Sequence, residues 1–337
     1  MKAVGYYKSL PASEPESLVD IDAETPAPKG RDLRVAVKAV SVNPVDTKVR
    51  MRAAPRAGEP AKILGYDAAG VVEAVGPDVT LFKAGDEVFY AGSILRPGTN
   101  AERHLVDERI VGRKPKSLSF AQAAALPLTG ITAWELLFDR FGIAPRRADP
   151  RTLLVVGGAG GVGSIMIQLA RKRTGLTVIT TASRQETRDW CIKMGAHHVI
   201  DHTKPFAEQL KSIGHPQAAL VAGLTGSEQH YPAIAAIIAP FGKFALIDAP
   251  NALDVNLLKP KAASLHWESM FTRSSFQTDD MIEQHNLLNE IAAMVDAGEI
   301  VTTATRELSP INAANLRKGH ALAESGTMIG KVVLSGW

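Results

Sequence analysis

Apolar and polar positions alternate along Leu33 to Val40, Ala68 to Val75 and Glu87 to Ala91, the period of strands with one buried face. The pairs Gly76-Pro77, Gly85-Asp86 and Pro97-Gly98 punctuate these runs as tight connections. Residues 1 to about 125 therefore predict a mostly β unit, a partly closed barrel. From Phe120 the pattern changes: AQAAALPLTGITAWELLFDRF predicts a helix start, a turn at Pro127 to Gly130 and an amphipathic helix. Strand-like and helical runs then alternate. The apolar run from Leu153, Thr177 to Ala182, His197 to Asp201, Ala218 to Leu224, Lys243 to Ala249 and Ala263 to Thr272 read as roughly six parallel strands with helices between them. MIEQHNLLNEIAAMVDAGEI is a further amphipathic helix, and the closing GKVVLSGW reads as a strand that rejoins the first unit. The organisation is thus α/β, a β-rich domain over 1–125 and 273–337 interrupted by a doubly wound parallel sheet over 126–272. No repeat or low-complexity tract is visible, and 28 to 32 and the prolines near 145 to 150 read as short connections.

The first strand of the inserted sheet runs straight into glycines, LLVVGGAGGVG. Gly158, Gly160 and Gly163 satisfy G-x-G-x-x-G, with one glycine for the turn, one for backbone approach to a diphosphate and one for helix packing. The helix SIMIQLARKR comes next, so its unpaired N–H groups, with Gly161 and Val162 in its first turn, would face an anion. A ribose is read at the end of the next strand, where Ser183 and Arg184 stand. A hydroxyl and a guanidinium suit a 2'-phosphate, whereas an acidic residue would accept from a free 2'-hydroxyl. The cofactor expected is therefore NADPH. A solvated loop arginine is the other reading of Arg184. By topology, Gly223 to Thr225 with Leu224, and Ala249 to Asn251, lie at carboxyl ends of strands that line the same crevice.

Composition narrows the class. At 337 residues the chain exceeds the usual size of one core, and its net charge of +3 with 22% charged residues suggests neither nucleic acid nor an anionic membrane as partner. No apolar stretch is long enough to span a bilayer, and the start lacks the blocks of a signal peptide, so the cytoplasm is expected. The single cysteine, Cys191, excludes an intrachain disulfide and a multi-cysteine zinc lobe.

The chain resembles the medium-chain dehydrogenase/reductase superfamily, and within it the quinone oxidoreductase branch and the zinc-type alcohol dehydrogenase-like subgroup. The resemblance covers nearly the whole chain and rests on NPVDTKVR at Asn43 to Arg50, GYDAAGVVEAVGPDVTLFKAGDEVFY at Gly65 to Tyr90, AALPLTGITAWELL at Ala124 to Leu137 and GGAGGVG at Gly157 to Gly163. It implies a GroES-like catalytic domain interrupted by a Rossmann domain, with cofactor and small-molecule substrate in the cleft between them. It also implies that Thr129 and Phe271 approach the nicotinamide side and His202 the adenosine side. Relatives pair their sheet edges across a two-fold axis, which implies a homodimer through the strand near 263 to 272. Thr129 equally suits a helix cap.

The departures from the zinc-dependent members bear on the chemistry. Asn43 stands where they place a cysteine ligand, and Gly65-Tyr66-Asp67 where they place Gly-His-Glu. Only Asp67 remains of a ligand type that zinc favours, and His104 or His266 would have to be recruited. No metal is expected. Asn43 and Tyr66 become the natural hydrogen-bond donors to a developing oxyanion, and Asp46 matches a hydrogen-bonding position of the family's first active-site segment. Asn43 before Pro44 also suits a turn, Tyr66 a buried aromatic and Asp46 a structural role. The function expected is an NADPH-dependent, zinc-independent reductase of quinones or α,β-unsaturated carbonyls. An alcohol or aldehyde oxidoreductase and a non-catalytic NADPH-binding protein are the alternatives.

Overall fold

The computed structural model describes residues 1–145 and 147–337; the connection expected near 145 to 150 includes Arg146, which lies outside the described residues. The chain divides into two compact units, Met1–Ile131 with Phe271–Trp337, and Thr132–Met270. Strands run over Lys2–Tyr6 (β1), Val19–Asp22 (β2), Asp32–Ser41 (β3), Lys62–Ile63 (β4), Ala68–Val75 (β5), Glu87–Tyr90 (β6), Arg103–Asp107 (β7), Val111–Arg113 (β8), Thr152–Val156 (β9), Thr177–Thr181 (β10), His198–Ile200 (β11), Ala218–Gly223 (β12), Ile238–Leu246 (β13), Ser264–Trp267 (β14), Ala304–Leu308 (β15) and Lys331–Ser335 (β16). The α-helices are Pro44–Arg52 (α1), Phe120–Ala124 (α2), Pro127–Trp134 (α3), Gly161–Arg173 (α4), Gln185–Met194 (α5), Phe206–Ser212 (α6), Ser227–Ile237 (α7), Thr272–Phe276 (α8), Glu283–Asp296 (α9) and Ala313–Glu324 (α10).

In the first unit, β3 is the hub of a mostly antiparallel sheet. It pairs with β5, β7 and β16, so the closing strand joins the β-rich unit as its sequence suggests. The alternation in β3 is real burial: Leu33, Val35 and Val37 are buried, and the residues between them are partly exposed. Two registers on this strand position polar side chains. Val40 opposes Ala68 and Ala39 opposes Ala69, a register that brings Ser41 opposite Asp67. Val333 opposes Ser41 and Leu334 opposes Val40, a register that brings Lys331 opposite Asn43.

In the second unit the sheet is wholly parallel, in the order β11-β10-β9-β12-β13-β14. This is the doubly wound dinucleotide-binding order, with its switch point beside β9. Every residue of β9 is buried, and Ile165, Met166, Leu169 and Ala170 of α4 bury the face that packs on the sheet. Arg140 Nε donates to Glu268 just beyond β14 at 2.8 Å. Burial, with Glu135 alongside, holds that carboxyl well above the usual carboxylate range.

Three expected boundaries differ. The turn expected at Pro127 to Gly130 is the first turn of α3: a proline at the first helical position loses no hydrogen bond and has the right φ, and Gly130 N donates to Leu126 O at 2.7 Å. The helical path then widens into a π-turn over Glu135–Arg140, where Phe141 N reaches back to Leu136 O. The strand expected from Lys243 begins at Ile238, because Ile238 already pairs with Ala218, and it bulges at Phe241 (φ 60°) before resuming. The edge strand stops at Trp267, not Thr272, since Thr272 opens α8. Among the described residues, no helix is long and apolar enough to cross a membrane.

Candidate functional site

The two registers on β3 assemble a buried polar cluster in the first unit. Asn43 is the N-cap of α1, in extended conformation, followed by Pro44 at the first helical position. Its backbone N–H donates to Asp46 Oδ2 at 2.7 Å, and Gly65 N–H donates to Asp46 Oδ1 at 3.1 Å. Gly65 must be glycine: φ is +113°, and a Cβ would come within 2.4 Å of Thr99 Oγ1. Asp67 Oδ2 accepts from Ser41 Oγ at 2.7 Å, from Asn43 Nδ2 at 2.8 Å and from Lys331 Nζ at 3.3 Å, while Oδ1 accepts from Leu128 N at 2.8 Å. Lys331 Nζ also donates to Val42 O at 2.8 Å and to Asn43 Oδ1. Asn43, Asp46, Asp67 and Lys331 are all buried.

One ammonium therefore faces two carboxylates out of water. Burial pushes Asp46 up to about 7, opposed by the Asn43 N–H and Lys331 and reinforced by Asp67. Burial also raises Asp67 and lowers Lys331. Because the folded-state value of Asp46 lies above its unfolded value near 4, its contribution to stability is fully present below about pH 4 and is lost as pH rises through about 7. The loss is at most about 4 kcal/mol. Between pH 5 and pH 8 the thermal midpoint of the wild type is expected to fall further than that of Asp46→Asn. Parallel pH dependence in the two proteins would place the titrating group elsewhere.

Tyr66 lies beside the cluster, with its ring edge-on to Phe271 at 5.3 Å between centroids. The ring is buried and no protein group reaches the hydroxyl among the described residues. Burial, with Asp46 and Tyr6 nearby, holds the phenol above its ordinary range, so it stays protonated. Thr129, on α3, is buried, and its hydroxyl donates to Ala125 O at 3.3 Å and Leu126 O at 3.2 Å in the preceding turn.

In the second unit the glycines divide by what surrounds them. A Cβ at Gly163 would stand 2.5 Å from both Gly157 O and Gly158 O, and one at Gly158 would collide with Thr180 Oγ1, so both serve close packing. At Gly160 the nearest atom would be 3.8 Å away. Protein packing makes no demand there. The open backbone lies at the N-cap of α4, with Gly161, Val162 and Gly163 forming its first turn, a cradle that fits a diphosphate. Ser183 is exposed and Arg184 is the N-cap of α5, its guanidinium 3.5 Å from Glu186. His202, after β11, lies edge-on to His230 at 6.0 Å, and His230 stacks on Phe206 at 5.5 Å. Leu224 follows β12 and is half-buried, while Ala249 is exposed beyond β13. The sequence offered no sign of His230 or of Lys331.

Comparison with known proteins agrees with this layout. Residues 29–129 match the alcohol dehydrogenase GroES-like domain, and residues 194–334 match the zinc-binding dehydrogenase family. A zinc-type alcohol dehydrogenase-like protein of Staphylococcus aureus is 43% identical over 99% of this chain and 100% of its own length. The chain belongs to the medium-chain dehydrogenase/reductase superfamily. This dehydrogenase/reductase is also similar in structure to a Rhizobium etli protein provisionally described as a zinc-dependent alcohol dehydrogenase, with 59% identity, 100% and 98% coverage of the two chains and a TM-score of 0.96. With the Escherichia coli quinone oxidoreductase complexed with NADPH it shares 25% identity over 99% and 100% of the chains, with a TM-score of 0.84. It is an oxidoreductase of the superfamily, with a GroES-like domain and a Rossmann domain.

The family descriptions imply zinc, and the donor set does not fit it. Of Asn43, Tyr66 and Asp67 only Asp67 is a favoured ligand, both of its oxygens are taken, and an ammonium already sits on one of them. Both ring nitrogens of buried His104 are engaged, by Tyr90 Oη at 3.1 Å and Pro97 O at 2.9 Å. His266 lies in the other unit against Ser264 Oγ. Among the described residues no three His, Cys, Asp or Glu side chains gather as a metal site.

Proposed function

We propose that this oxidoreductase uses NADPH and, without zinc, reduces quinones or α,β-unsaturated carbonyls. The observation that most supports it is the pair of donors in the first unit, the Tyr66 hydroxyl, protonated and without a protein partner among the described residues, and the Asn43 amide, which keeps one N–H after donating the other to Asp67. Nicotinamide, when bound, supplies hydride from its C4. As hydride adds to the ring or to the β-carbon, electrons move onto the carbonyl oxygen, and the two donors stabilise that charge. Their strength is that of hydrogen bonds, which suits an acceptor whose anion is already delocalised. The likeness to a quinone oxidoreductase complexed with NADPH supports both cofactor and acceptor class.

Turnover of 1,4-benzoquinone and a simple enone with NADPH, on protein assayed for metal, tests the reading. Activity in zinc-free protein is expected. Stoichiometric zinc with alcohol oxidation, or tight NADPH binding with no acceptor in a broad screen, would replace it with the other two readings. For the cofactor, Arg184→Glu sets like charge against a 2'-phosphate and is expected to weaken NADPH about thirtyfold more than NADH, about 2 kcal/mol. Equal losses in fluorescence titrations with the two cofactors would sink the role of Arg184. A homodimer through β14, whose outer edge is unpaired among the described residues and whose Trp267 is 56% exposed, belongs to the same reading and is measured by sedimentation.

A further inference from the structure

Lys331 comes from the last strand, some 288 positions along the chain from Asn43, and is 1% exposed. An ammonium has three donors and no acceptor. Here three acceptors take them: Val42 O, Asn43 Oδ1 and Asp67 Oδ2. The arrangement resembles the coordination of a small cation by oxygen atoms, built where the zinc-dependent members of the superfamily place metal ligands.

The consequence falls on Asn43. A side-chain amide has two ends of nearly the same shape, and only its partners decide which way it points. At Asn43 one partner can only donate and the other, as a carboxylate, can only accept. Turning the amide over would set its NH2 against the Lys331 ammonium and its oxygen against the Asp67 carboxylate, losing both hydrogen bonds for two repulsions. Ser41 Oγ and Leu128 N hold Asp67 in turn, so the carboxylate cannot follow the amide round. One N–H of Asn43 is committed to Asp67, and the other is the one left for a substrate oxygen.

We propose that Lys331 is the resident cation of this site and acts as a positioning residue, locking the Asn43 amide with its oxygen inward and an N–H free for the reacting carbonyl. The proposal rests on the reductase reading for its consequence in turnover, and on geometry alone for the orientation of the amide. It deepens that reading by replacing the expected metal with a side chain of this protein.

The test compares wild type, Lys331→Met and the charge-neutral pair Lys331→Met with Asp67→Asn. Each is measured by thermal unfolding, NADPH titration, 15N NMR of the Asn43 side chain and turnover of an enone. Lys331→Met alone leaves Asp67 buried without its counter-charge and is expected to lower the yield of folded protein; the neutral pair removes both charges and folds. The amide introduced by Asp67→Asn can itself turn over, with its oxygen on Leu128 N–H and its NH2 towards Asn43, so Asp67→Asn alone, which keeps Lys331, is measured beside the pair, and what changes at Asn43 between these two variants reports the loss of Lys331. The expected result for the pair is NADPH affinity within twofold of wild type, kcat down at least tenfold, and Asn43 amide protons exchanging faster with water. A neutral pair with wild-type kcat and a protected Asn43 amide would overturn the role, leaving Lys331 as mere charge balance. If wild type reduces no acceptor, the reductase reading fails, and the amide exchange alone then decides for or against Lys331.

Discussion

Gly160→Asp is expected to leave the nucleotide-binding unit at least as stable as wild type while lowering NADPH affinity a hundredfold or more. Gly160 is the N-cap of α4, at φ −72° and ψ 179°, a conformation open to any residue. A Cβ there meets nothing closer than 3.8 Å. Aspartate is among the best N-cap residues, exceeding glycine by a few tenths of a kcal/mol, because its carboxylate accepts from the N–H groups of the first turn. Those are the donors that a diphosphate would use. The substituted side chain therefore fills the cradle with the protein's own anion and repels the incoming one, and a hundredfold loss corresponds to about 2.7 kcal/mol. Gly163→Ala is the contrast, since its methyl would be driven to 2.5 Å from two carbonyl oxygens and must displace the turn. That variant is expected to lose both stability and affinity. Calorimetry and NADPH titration on the two variants separate a glycine kept for a ligand from one kept for packing. A Gly160→Asp protein that binds NADPH as wild type does would remove α4 from the cofactor site.

The architecture was legible because its signals are local. A buried parallel strand followed by glycines and a helix needs only some twenty residues to be recognised, and β9, α4 and β10 form where that pattern stands. The period-two runs became β3, β5 and β6 for the same reason. Misreadings came where a neighbour overrides local preference. Pro127 looks like a turn residue until it is placed at the first position of a helix, and Ile238 extends β13 only because Ala218 is there to pair with it. In the site, Asn43, Asp46, Tyr66 and Asp67 lie within two short segments and could be singled out together. Lys331 could not. Its place opposite Asn43 comes from strand register, and register depends on which strands pair, which no local pattern states. The pairing of His202 with His230 is hidden in the same way, one residue following β11 and the other lying on α7.

Arg50→Met is expected to destabilise the first unit by about 3–5 kcal/mol, with the thermal midpoint falling on the order of 10 °C. Arg50 stands near the end of α1, the helix that begins at Asn43, and its side chain is wholly buried. Its Nε donates to Leu10 O at 3.0 Å, Nη1 meets His320 Nδ1 at 2.7 Å, and Nη2 meets Glu324 Oε1 at 2.5 Å. One guanidinium thereby ties α1 to the N-terminal segment and to two successive turns of α10. His320 is buried and pushed down to about 3, first by burial and then by Arg50, so it remains neutral and accepts the bond through Nδ1. Methionine approximates the length of the stem but supplies none of the donors. It strands the buried His320 nitrogen and removes the donor to the half-buried Leu10 carbonyl, and it leaves the partly exposed Glu324 to water at lower cost. Lysine keeps the charge but has no planar fork to reach three acceptors in different directions, so Arg50→Lys should recover only part of the loss. Because α1 carries Asn43 and Asp46 at its other end, looser anchoring is also expected to speed hydrogen exchange at the backbone of Asp46 and Thr47. If Arg50→Met unfolds within 2 °C of wild type, the buried cluster is not what holds α1 in place, and the geometry at Asn43 must be set from the β3 side alone.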